Sequence, residues 1–113
     1  MTTLYGIKNC DSVKKARKWL IEKNIDYQFH DFRSDGISEE LVQGFIAQSS
    51  WEALLNKRST SWKQLEIVQK EEMTQEKAIA LILETPTLIK RPVLSSDEHF
   101  FIGFNVDNYQ KLL

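Results

Sequence analysis

Thr2-Thr3-Leu4-Tyr5-Gly6-Ile7-Lys8-Asn9-Cys10-Asp11-Ser12-Val13-Lys14-Lys15-Ala16 passes from strand to helix around the only sulfhydryl of the chain. Residues 2–7 are β-formers closed by a polar pair, Lys8-Asn9. From Asp11 onward Val13, Ala16 and Leu20 recur at helical spacing, with Trp19 and Ile21 less regular, while Lys14, Lys15, Arg17, Lys18 and Glu22 take the other face. Cys10 therefore falls at a helix N-terminus, where unsatisfied amides carry positive partial charge and a sulfur is stabilised as the thiolate. A lone cysteine is commonly an inert core residue, but Lys8-Asn9-Cys10-Asp11-Ser12 is not written as a core segment. Asn24-Ile25-Asp26 ends the helix, and Tyr27-Gln28-Phe29-His30-Asp31-Phe32 reads as a second strand. Strand, helix and strand in about thirty residues make a parallel βαβ unit with a right-handed crossover.

Beyond this unit the pattern becomes helical. Ser34-Asp35-Gly36 is a turn, Ser38 caps a helix carrying Leu41, Val42, Phe45 and Ile46, and Ile37 is placed to staple it. A further turn at Trp51–Leu55, a polar loop at 56–61 and a short segment at 62–65 precede a helix capped by Thr74 and stopped before Pro86. Leu88–Leu94 and Phe100–Phe104 then read as an antiparallel hairpin, and residues 107–113 as a last helix. The order β-α-β, helices, β-β-α predicts one α/β domain over 1–113, a thioredoxin-like fold on a mixed sheet with a helical insertion at about 38–85.

Composition narrows the chemistry. Fifteen Lys and Arg against sixteen Asp and Glu leave a net charge of -1, which gives no general attraction to nucleic acid or anionic membranes. One cysteine makes no internal disulfide, and the start of the chain lacks the pattern of a secretory signal, so a cytoplasmic location is expected. His30 and His99 lie at no ligand spacing from Cys10, and the four glycines form no phosphate loop; neither metal nor tightly bound cofactor is expected.

Three motifs together, Tyr5–Ala16, Leu54-Leu55-Asn56-Lys57-Arg58 and Leu88-Ile89-Lys90-Arg91-Pro92-Val93, resemble the arsenate reductase (ArsC) family, and within it the YffB-like thiol reductases. The resemblance implies a thioredoxin-like fold with a helical subdomain, a nucleophilic Cys10, and glutathione as co-substrate with a thiol or disulfide substrate. By position, Arg91 and Arg58 are the expected anion-binding residues, with Lys8 and Asn9 beside the thiol completing a glutathione-binding set, and Pro92 is the expected cis-proline. A guanidinium favours a neighbouring thiolate and offers a planar fork to carboxylates. Two departures matter. Arsenate reductases of this type carry a third arginine where this chain has Phe104-Asn105, and a multiply charged oxyanion needs several donors, which argues against arsenate reduction. Three residues after Cys10, where dithiol oxidoreductases and many Spx regulators have a second cysteine, stands Val13, so an external thiol must resolve any mixed disulfide. The expectation is thus a monomeric, glutathione-dependent thiol-disulfide oxidoreductase. The alternative is a non-catalytic, Spx-like module whose protein partner is RNA polymerase, with Trp51 and Trp62 near its binding surface.

Overall fold

The computed structural model describes residues 1–113. Its contacts separate into two compact units, one formed by Met1–Gly36 with Arg91–Leu113 and the other by Ile37–Lys90.

The first unit is a four-stranded mixed sheet in the order β2-β1-β3-β4, with β1 at Thr3–Gly6, β2 at Gln28–Asp31, β3 at Val93–Ser95 and β4 at Phe100–Ile102. β1 is central: it runs parallel to β2, pairing Gly6 with Asp31, and antiparallel to β3, pairing Tyr5 with Val93. Helix α1, Asp11–Glu22, supplies the crossover and buries Val13, Ala16, Trp19 and Leu20. Ala16, Trp19 and Leu20 pack with Leu4, Leu94 and Tyr109, the last from the short C-terminal helix at Val106–Tyr109. Around Tyr109 the rings of Trp19 and Phe104 stand edge-on at 5.7 and 4.9 Å. Its hydroxyl is buried without a hydrogen-bond partner, and burial pushes the phenol pKa up.

A single glycine sets how closely α1 meets the sheet. A Cβ placed on Gly6 would lie 2.6 Å from Cγ2 of the fully buried Val13, so the first turn of α1 presses on β1 where no side chain intervenes. Val13 is therefore spent on packing against the strand that leads to Cys10.

The second unit is helical: α2 at Glu39–Gln48, α3 at Trp51–Leu54, α4 at Thr60–Lys63, α5 at Ile67–Glu71 and α6 at Gln75–Glu84, followed by a 3₁₀ turn at Pro86–Leu88. We number the C-terminal helix of the sheet unit α7. Ser38, Ser50, Ser59 and Thr74 each accept an amide of the following first turn, as expected for Ser38 and Thr74. Val42, Phe45, Leu54, Leu55, Ala78, Ile79, Ile82, Leu88 and Ile89 are buried.

Two details differ from the sequence reading. Leu88 and Ile89 do not belong to the hairpin, because the segment pairs locally instead: Asn56 N–H donates to Leu88 O at 2.7 Å, Lys90 N–H donates to Leu54 O at 2.8 Å, and Leu55 bridges Ile89. Pro92, lacking an amide hydrogen, separates this piece from β3. Helix α5 was not expected. Its Ile67 and Val68 are exposed and give no amphipathic period, while its start is held by reciprocal bonds between Glu66 and Gln69. No helix is long and apolar enough to cross a membrane.

Candidate active site at the end of β1

Where β1 ends, Ile7 turns the chain: the Cys10 amide donates to Ile7 O at 3.2 Å, and Cys10 O accepts the Lys14 amide at 3.0 Å, the first bond of α1. Cys10 is thus the N-cap, with extended φ and ψ of -95° and 126°. Its side chain makes no capping bond and is half-buried, so the sulfur is uncommitted at the positive end of a twelve-residue helix. Lys8 and Asn9 are exposed on the approach.

The antiparallel register brings a second element to this end of the strand. One step past the Tyr5–Val93 pair, Gly6 faces the position of Pro92, so Arg91 enters the sheet where the Lys8–Cys10 loop leaves it. The Arg91–Pro92 peptide is cis, and Pro92 O accepts the Gly103 amide at 2.7 Å. Nε and Nη1 of Arg91 are buried and have no hydrogen-bond partner. Arg91 as a whole is half-buried, but buried donors left unmatched are costly, and an anion accepting from them would offset that cost.

Five of the six expected site residues, Lys8, Asn9, Cys10, Arg91 and Pro92, thus belong to the sheet unit and gather at one end of β1. Arg58 belongs to the helical unit, where it is exposed in a tight loop: Asn56 Oδ1 accepts its amide at 3.2 Å, and Ser59 Oγ donates to Asn56 O at 2.8 Å.

One residue escaped the sequence reading. Asp31, the last residue of β2 and paired with Gly6, is only 5% exposed. Its Oδ1 accepts the Arg33 amide at 2.8 Å, and its own amide donates to Asp35 Oδ2 at 2.9 Å. Burial by itself raises the pKa of this carboxyl. The amides of Arg33, Ser34 and Lys8 and the charge of Lys8 outweigh that and hold it below the ordinary carboxylate value. Asp31 thereby ties the loop before Cys10 to the exit of β2, alongside the bond from the Phe32 amide to Gly6 O at 2.9 Å. The legible signal was an Asp at a strand end two residues before a turn amide, the pattern of an Asx turn.

A thiol at the N-cap of the helix that follows the central strand, with a cis-proline just before the neighbouring strand of a mixed sheet, marks the thioredoxin-like class. A glutaredoxin of Archaeoglobus fulgidus shares the fold at a TM-score of 0.50, with 13% identity over 98% of this chain and 83% of that one. The sequence pattern of the ArsC family matches residues 5–112, and the chain belongs to that family. It is 46% identical to an uncharacterized protein of Haemophilus influenzae over 110 residues, 97% of this chain and 96% of the relative. The solved structure of a YffB protein superposes with a TM-score of 0.92 at 40% identity, covering 98% of this chain and 97% of the other. A global transcriptional regulator Spx of Streptococcus pyogenes is 30% identical over 115 residues, all of this chain and 85% of the relative.

Proposed function

We propose that this ArsC-family protein is a glutathione-dependent thiol-disulfide oxidoreductase in which Cys10 is the nucleophile. The observation that carries the reading is the uncommitted Cys10 sulfur at the N-cap of α1, at the same end of β1 as an arginine whose buried nitrogens lack a partner. The Cys10 thiolate attacks one sulfur of a substrate disulfide. A new S–S bond forms to Cys10, the substrate S–S bond breaks, and the other substrate sulfur departs as a thiolate that takes a proton from water. A glutathione thiolate then attacks the substrate sulfur of the mixed disulfide: the bond to Cys10 breaks, the Cys10 thiolate is freed, and a glutathione–substrate disulfide forms, which is oxidised glutathione when the sulfur carried by Cys10 was glutathione's own. The helix N-terminus and Arg91 stabilise the negative sulfur, Arg91 receives a glutathione carboxylate, and Lys8 and Asn9 line the approach.

Arsenate is a poor fit. Phe104, standing where arsenate reductases of this type carry a third arginine, packs its ring on Tyr109 and offers no donor. The test is reduction of a glutathione mixed disulfide with glutathione as donor. Cys10→Ser is expected to remove at least about 1,000-fold of the rate, and Arg91→Ala about 10- to 100-fold. Amide shifts on glutathione titration are expected around Cys10 and Arg91. A Cys10 thiol alkylated no faster than free cysteine at neutral pH overturns the reading.

The likeness to Spx regulators supports a second reading, a protein-binding module contacting RNA polymerase. A partner retained by Cys10→Ser in a pull-down favours the module, whereas mixed-disulfide capture that vanishes on the substitution favours the enzyme.

A further inference from the structure

Charge is segregated in this chain. Residues 8–23 hold six cations, Lys8, Lys14, Lys15, Arg17, Lys18 and Lys23, against Asp11 and Glu22, a surplus of four. With a net charge of -1 overall, everything else sums to -5.

Within this basic stretch, Lys14, Arg17, Lys18 and Ile21 stand on the helix face that starts at Cys10, since steps of three and four residues share a face. Together with Glu22 they line one shallow depression along α1. Arg17 is held in place there: its Nε donates to Tyr27 Oη at 3.0 Å, and its guanidinium lies 4.3 Å from the centre of the Phe29 ring. A cation fixed by stacking and a hydrogen bond loses little freedom on meeting a carboxylate. Lys18 touches Glu22 at only 3.9 Å, with both side chains mostly exposed, so that pair is weak and Lys18 remains available. At the far end Ile21 is 63% exposed, an apolar stop after the cations.

We propose that this face of α1 is a docking rail for an acidic polypeptide segment whose cysteine sulfur is delivered to Cys10. The proposal rests on the reading of Cys10 as nucleophile and names its substrate class: a protein disulfide or mixed disulfide flanked by Asp or Glu. Length selects a polypeptide over a small thiol. Ile21 lies eleven residues from Cys10, about 16 Å along the axis at 1.5 Å per residue. A tripeptide spans at most about 11 Å, whereas five extended residues cover the distance. The chemistry is the exchange already described: the partner's S–S bond breaks, a Cys10–S bond forms, and the partner's second sulfur leaves as a thiolate.

Binding and exchange are tested separately. Full-length Cys10→Ser is titrated with a fluorescent six-residue peptide containing four Glu and one Ser in place of cysteine, with its Gln counterpart, and with a single-stranded oligonucleotide of equal charge. The Glu peptide is expected to bind at least about tenfold more tightly than the Gln peptide at low ionic strength, to shift the amides of Lys14, Arg17, Lys18 and Ile21, and to lose the preference in high salt. Lys14→Glu with Lys18→Glu is expected to abolish the preference. Lys18→Gln, a milder change, is expected to reduce it about threefold without altering the melting temperature. In the native protein, the rate with the same peptides bearing cysteine as a 4-thiopyridine disulfide, divided by the rate with neutral 4,4′-dithiodipyridine, should show the same order. Equal binding of both peptides, or equal binding of the oligonucleotide, overturns the rail. Inertness of Cys10 toward 4,4′-dithiodipyridine overturns the enzymatic reading instead, and the titration with Cys10→Ser still decides the rail.

Discussion

The sheet unit and the helical unit are held together by different means. In the sheet unit the decisive contacts join residues far apart in sequence: β1 pairs with β3 across some ninety residues, and Asp31 collects amides from Lys8, Arg33 and Ser34. In the helical unit five helices, three of them only four or five residues long, are begun by local caps at Ser38, Ser50, Ser59, Glu66 and Thr74. Such short helices are marginal alone, so caps and the buried face must carry them. The contrast bears on the proposed site: long-range pairing of β1 with β3 brings the Arg91-Pro92 backbone to the end of β1 from which the chain runs on to Cys10. Locally capped helices position a loop such as that of Arg58 by its own hydrogen bonds.

The largest effect that separates the units is expected from Gly6→Ala. The added Cβ would meet Val13 Cγ2 at 2.6 Å, so α1 must shift, at a cost of about 1–3 kcal/mol in unfolding free energy. Chemical denaturation should show it, and Cys10 alkylation should slow because its helix moves. An unchanged alkylation rate would mean that the close approach does not position the thiol.

Asp31→Asn sharpens the same side of the comparison. Replacing an acceptor of several amides with a neutral group that also carries donors is expected to cost about 1–2 kcal/mol at neutral pH. The sign of the pH dependence follows from a folded-state pKa below the unfolded one. The stabilisation is fully present above the ordinary carboxylate pKa of ~3.9 and is lost as pH falls through the lower folded value. Wild type should therefore lose stability on acidification more steeply than the variant, with the difference between them shrinking below pH ~4. A constant difference across the acid range would refute the role of the charge.

Thr74→Ala tests the helical unit. Loss of the cap that accepts the Lys77 amide at 3.3 Å should cost about 1 kcal/mol and speed hydrogen exchange mainly at the start of α6. Equal acceleration in β1 would contradict the local character of these helices. The smallest effect, and the only gain, is expected for Tyr109→Phe. Removing a buried hydroxyl with no partner should raise stability by up to about 1 kcal/mol, seen as a higher melting temperature.

Much of this was readable from neighbouring residues. The turn from Gly6 to Asp11, the period of Val13, Ala16 and Leu20, and Ser38 and Thr74 as caps are features in which each residue's partner lies within four positions. The rest depended on distant partners. Leu88-Ile89 read as strand, yet Leu88 closes the 3₁₀ turn and Ile89 bridges Leu55 instead of joining the hairpin. Asp31 read as an ordinary residue of the second strand, and only the parallel register, which sets it beside Gly6, made it an anchor for the thiol loop. Arg91 follows from the family resemblance, but the unpartnered burial of its Nε and Nη1 is a property of packing.

By itself the sequence determined that the one cysteine would stand at the start of a basic amphipathic helix after a strand, since backbone propensity and hydrophobic period act over a single turn. Only tertiary structure decided which distant groups share that end of β1 and which of their hydrogen-bonding atoms stay unmatched, because burial and pairing between remote segments depend on where the whole chain packs.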